Sequence, residues 1–75
     1  MRSTKVVSSN IDQVGWQDHV LYVAFLNGRK YLYKGVPEIV YERLCNAESV
    51  GKEFNASVKK LYEHTLLTDD PFESN

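Results

Sequence analysis

The dipeptide Asn27-Gly28 separates two β-rich runs, VLYVAFL at residues 20 to 26 and KYLYK at residues 30 to 34. Asn-Gly readily adopts the positive φ angles of a tight reversal, so runs of this kind around it predict a hairpin. The first run is β-branched and aromatic, with apolar residues on both alternations. The second alternates strictly. Upstream, NIDQVGWQ predicts a third strand, with Asp18 near the turn that follows. Gly15 inside it marks a bulge or a close approach of backbones.

Two hairpin registers compete. A two-residue loop pairs Leu26 with Arg29 and sets Tyr22 opposite Tyr33. A three-residue loop, Leu26-Asn27-Gly28, places Gly28 in the left-handed region with a bulge. It pairs Phe25 with Arg29, Val23 with Tyr31 and Leu21 with Tyr33. One residue of slip moves both tyrosines across the sheet. The second register is favoured because it gathers Leu21, Val23, Phe25, Tyr31 and Tyr33 on one apolar face. The phenolic hydroxyls then need partners or a place at the rim. The other face carries Tyr22, Ala24, Lys30, Leu32 and Lys34.

At GVPEIV the period changes. Pro37 suits the first helical position and Glu38 suits the first turn. Val40, Leu44 and Ala47 then share one helix face, widened by Ile39. This helix is expected from about Pro37 to Asn46. A second helix is expected to follow, with Asn55 as N-cap and Val58, Leu61 and Tyr62 pointing inward. Phe54 packs back onto it. ESVG, residues 48 to 51, reads either as a turn or as an earlier start of that helix. Strands followed by helices predict an α+β fold, a three-stranded antiparallel meander with two helices on one face.

The chain has 75 residues, enough for one domain. A chain this short buries only ~60% of its unfolded surface, so a homo-oligomer is kept in view. The expected organisation is a loose start at residues 1–5, one domain at 6–66, and an acidic tail at 67–75. The formal net charge is −1, without the basic surplus of a general nucleic-acid binder. No run approaches the ~20 apolar residues of a membrane span, and the polar start does not resemble a signal peptide. One cysteine makes no internal disulfide. A cytoplasmic protein with no membrane partner is the expectation.

The pattern L.V.F.NG..Y.Y.GVP..VY..L..A.S.GK.FN, running from Leu21 to Asn55, resembles the KTSC domain family. The upstream SSNI..VGW also fits, with Trp16 where a tyrosine is expected. The resemblance covers roughly residues 6 to 62. It implies a small domain found at the C-terminus of some lysyl-tRNA synthetases and as free-standing bacterial and phage proteins. It implies RNA binding only by neighbourhood, through the synthetase fusion.

The chemistry-bearing residues point to binding rather than catalysis. His19, His64 and Cys45 lack the paired spacing of a metal site. Cys45 falls near a helix C-terminus, which disfavours a thiolate. Gly51-Lys52 is not a P-loop: the earlier glycine and the following Ser or Thr are missing. Paired carboxylates lie on solvated surfaces or in the tail. No cofactor is expected. What remains is a mix of aromatic and basic residues: Trp16, Tyr22, Arg29, Lys30, Tyr33, Lys34 and Lys52. Such a set suits stacking of a base with cations on its phosphates. Lys30 and Lys34 are favoured over the tyrosines beside them. The expectation is therefore a non-catalytic module for RNA or a small nucleotide, including sequestration of a nucleotide signal. The alternative is a protein-interaction or self-association module using Tyr22, Ala24 and Leu32.

Overall fold

The computed structural model describes residues 1–72. A five-stranded antiparallel sheet runs in the order β1-β2-β3-β4-β5. The strands are β1 (Arg2–Lys5), β2 (Ile11–Gln17), β3 (Val20–Phe25), β4 (Lys30–Lys34) and β5 (His64–Leu67). Between β4 and β5 lie α1 (Glu38–Asn46) and α2 (Val50–Phe54), the latter continued by a π-helical turn at Asn55–Lys59. The α+β class and the central three-strand meander agree with expectation. The strand count does not: there are five rather than three.

Both additional strands are edges. β1 is the polar RSTK, fully exposed, and β5 is HTLL, mostly exposed. Edge strands are held by backbone pairing more than by burial, so they carry no apolar alternation to read. Residues 2–5 are therefore a strand, not a loose start. The expected tail likewise divides. Leu67 completes β5, while Asp70 and Phe72 line a depression on the outer sheet face. Residues 73–75 lie outside the described residues.

The β3–β4 hairpin adopts the three-residue loop. Val23 pairs with Tyr31 and Leu21 with Tyr33. The Phe25 N–H donates to the Arg29 carbonyl at 2.8 Å, and Gly28 sits at φ 93°. Asp18 and His19 turn β2 into β3 with φ of 52° and 64°. Two positive values in a two-residue loop match the twist of the flanking strands. The Trp16 indole donates to the Val36 carbonyl at 2.8 Å, and the Val36 N–H donates to the His19 carbonyl at 2.9 Å. These bonds fasten the corner that leads into α1. Pro37 caps that helix from one position earlier than expected.

The core lies between one sheet face and the helices. It joins Ile11, Val14, Leu21, Val23 and Tyr33 to Val36, Val40, Tyr41, Leu44, Val50, Phe54 and Val58. Two expected members lie outside it: Ile39 is 54% exposed and Leu61 is 69% exposed. Tyr41 and Val50 take their place. The second helix begins at Ser49, whose hydroxyl accepts from the Lys52 N–H, so Asn55 lies inside the helical segment rather than at its cap. Gly51 permits that earlier start. A Cβ there would stand 2.9 Å from Asn10 Oδ1.

Candidate functional site

Five rings form a closed circuit on the inward face of the sheet. Phe25 meets Tyr31 edge-on at 5.6 Å between centroids, and Tyr31 meets His64 at 5.3 Å. His64 approaches Tyr33 at 6.0 Å, Tyr33 meets Phe54 at 5.5 Å, and Phe54 returns to Phe25 at 5.7 Å. Most of these contacts are edge-to-face, the arrangement that ring quadrupoles favour. Strand alternation supplies the circuit. Phe25, Tyr31, Tyr33 and His64 occupy inward positions of β3, β4 and β5, and α2 lays Phe54 across them.

The circuit lines a cavity of about 350 Å³. Its other walls are Asn10, Asn27, Asn55, Arg29 and Lys59. Arg29 leaves the hairpin turn. Asn55 and Lys59 stand about one turn apart on the π-helical segment, a geometry often found at functional sites. Among the described residues no Asp or Glu lines this cavity. Arg29 and Lys59 are its cations, and its other polar lining is amide, phenol and the His64 imidazole.

Burial, then the neighbouring Tyr31, pushes the Tyr33 phenol up to about 12. The ring is only 4% exposed, yet no buried polar atom among the described residues lacks a partner. Tyr33 is thus a core residue whose hydroxyl faces the cavity. Asn10 and Asn27 have structural duties. Asn10 Oδ1 accepts from the Ser8 hydroxyl at 3.0 Å, and Asn27 Oδ1 accepts from the Arg29 N–H at 2.9 Å. The side-chain hydrogen bonds among the described residues do not involve Asn55.

A second depression, of about 380 Å³, is lined by Arg2, Thr4, Tyr41 and Cys45. Several of its polar groups are already paired. Arg2 bonds Glu38 and lies over the Tyr41 ring, and the Tyr41 hydroxyl meets Thr4 at 3.1 Å. Burial raises the Tyr41 phenol, partly opposed by the hydrogen bond with Thr4. This depression ties β1 to α1.

The KTSC domain model matches residues 7–62, three quarters of the chain. The chain belongs to the KTSC domain family. A crystal structure of a KTSC domain protein from Yersinia pestis superposes with a TM-score of 0.80 at 29% identity, covering 88% of this chain and 96% of that one. A protein from Tsukamurella paurometabola is 36% identical over 64 residues, 83% of this chain and 96% of that one. A protein from Stutzerimonas stutzeri is 33% identical over 61 residues, covering 79% and 86%.

Positions of the KTSC pattern quoted above supply both the core and the cavity wall, and Tyr33 and Phe54 serve both. Leu21, Val23, Tyr41 and Leu44 are core. Phe25, Asn27, Tyr31, Tyr33, Phe54 and Asn55 line the cavity. Of the residues singled out from sequence, the fold brings Arg29 and Tyr33 together there. Trp16 stands at the other end of β2, bonded to Val36. Tyr22, Lys30 and Lys34 occupy the opposite sheet alternation, and the Lys30 ammonium donates to the Gly28 carbonyl at 3.2 Å. Lys52 is exposed in the first turn of α2. Sequence reading missed His64, because β5 has no apolar alternation. It kept Tyr33 among the candidates but favoured Lys30 and Lys34, whereas Tyr31 and Tyr33 line the cavity and the two lysines do not.

Proposed function

We propose that this KTSC domain is a non-catalytic binding module for a nucleotide, held either free or as one nucleotide of an RNA strand. One observation carries the reading: a closed aromatic circuit lines a cavity whose charged walls, Arg29 and Lys59, are cationic. The accessible rings, Phe25, Tyr31 and His64, provide stacking worth ~1–3 kcal/mol per base, tolerant of base identity, with the buried Tyr33 and Phe54 behind them. The two cations suit a phosphate, and no carboxylate among the described lining residues repels it. With an overall charge of −1, attraction is local to the cavity. The volume sits near the lower end of the usual ~300–1,000 Å³ for small-ligand sites. It suits one nucleotide better than a strand, which accords with sequestration of a nucleotide signal.

Binding without reaction is the simpler reading of this lining. Among the described residues it contains no Ser or Cys, and no carboxylate to orient His64 as a base. The competing reading, protein interaction or self-association through Tyr22, Ala24 and Leu32, has less support. Phe72 and Met1 lie against Gly15 on that sheet face and cover part of it.

Calorimetric titration with nucleoside monophosphates and short single-stranded RNA, at two salt concentrations, tests the proposal. Saturable binding that weakens with salt is expected. Absence of binding to every probe at low salt would overturn it.

A further inference from the structure

We infer that the cavity selects adenine, with Asn55 reading the base edge while Arg29 and Lys59 hold the phosphate. This inference rests on the nucleotide reading above and adds the identity of the base. Three observations carry it. Asn55 lines the same cavity as the accessible rings Phe25, Tyr31 and His64, so its amide borders their surface. The acceptor oxygens of the other two lining amides, Asn10 and Asn27, are already engaged inside the chain. Among the described residues no carboxylate lines the cavity.

The chemistry of the bases decides among them. A carboxamide presents one donor and one acceptor side by side. Adenine offers the complement, an amino donor beside a ring-nitrogen acceptor, and Asn is a standard bidentate reader of that edge. The Watson–Crick edge of guanine has two adjacent donors, N1–H and N2–H₂, which call for two acceptor oxygens. A carboxylate supplies such a pair, and an amide supplies only one. The other edge of guanine, O6 and N7, needs a bidentate Arg or Lys. Arg29 would then be drawn from the phosphate, leaving Lys59 alone to neutralise it. Uracil and cytosine can also pair with an amide, but a single ring covers less of a circuit built from five.

The test compares AMP, GMP, UMP and inorganic phosphate on the whole chain by calorimetry, with Asn55→Ala and Asn55→Asp. Asn55 is exposed, so both variants are expected to keep the fold, which circular dichroism melts would check. The wild type should bind AMP roughly five- to hundredfold tighter than GMP, the range for one bidentate pair. Asn55→Ala should bring the two affinities close together. Asn55→Asp should reverse the order, because its carboxylate accepts both guanine donors, while weakening all nucleotides through its charge. GMP bound as tightly as AMP by the wild type would overturn the adenine assignment and leave the nucleotide reading standing. So would an AMP-to-GMP ratio unchanged in Asn55→Ala. Nucleotides bound no better than inorganic phosphate would overturn both.

Discussion

Tyr31 and His64 meet edge to face, their ring centroids 5.3 Å apart. The strand register makes this contact. His64 stands directly opposite Tyr33, and Leu66 stands opposite Tyr31, so the His64 ring reaches Tyr31 on the diagonal. β5 therefore does more than lengthen the sheet. It closes the ring circuit that β3, β4 and α2 leave open.

Replacing His64 with Ala opens that circuit on its exposed side. Nucleotide affinity should fall by ~1 kcal/mol or more, the scale of one aromatic stacking contact. Thermal stability should change little, because the residue is exposed at a sheet edge. Calorimetry and a melting curve on the same preparation check both parts.

Tyr33 gives the fold an alkaline limit. Its phenol is held at about 12 in the folded chain, against the ordinary value of 10.0. The folded state thus keeps this proton more tightly than the unfolded state. The resulting stability is fully present below pH ~10 and is lost as pH rises toward ~12. Between those limits the wild type should lose ~2 kcal/mol more stability than Tyr33→Phe. Urea denaturation of both proteins at the two ends of the window reads the difference, and the shared lysine titration cancels.

Gly15 has no side chain because the tail and β1 lie against it. A Cβ there would stand 2.8 Å from the Phe72 ring, 3.1 Å from the Arg2 carbonyl and 3.2 Å from the Met1 sulfur. Gly15→Ala should destabilise the fold by ~1–3 kcal/mol. Part of that cost belongs to Phe72, so it should shrink when Phe72→Ala is already in place. A double-mutant cycle in urea measures the coupling.

Trp16 contributes to the fold away from the cavity. Trp16→Phe removes the donor to the Val36 carbonyl and should cost ~1 kcal/mol. Nucleotide affinity should be unchanged. A loss of binding at unchanged stability would instead place Trp16 in the site.

The hairpin was legible because two local signals agreed. Asn27-Gly28 allowed only two loops, and one of them put Leu21, Val23 and Phe25 on the same face as the tyrosines. Other features depend on neighbours distant in sequence. β1 and β5 are polar or short edges, held by strands that precede or follow them by many residues. Gly51 reads as a helix breaker by propensity. In the fold it is the residue that lets α2 pass Asn10. Asn55 reads equally well as a cap, and Ser49 takes that duty six residues earlier. The cavity was hidden for the same reason. Its cations come from a hairpin turn and a π-helical segment, and His64 comes from an unanticipated strand.

The most direct test compares two double variants in one nucleotide titration. Arg29→Ala with Lys59→Ala removes the cationic lining of the cavity, whereas Lys30→Ala with Lys34→Ala removes the lysines of the opposite sheet alternation. All four residues are accessible, so melting curves should show both variants folded. AMP binding should be lost in the first variant and kept in the second. Binding lost with Lys30 and Lys34 but kept without Arg29 and Lys59 would move the site to the outer face and contradict the account.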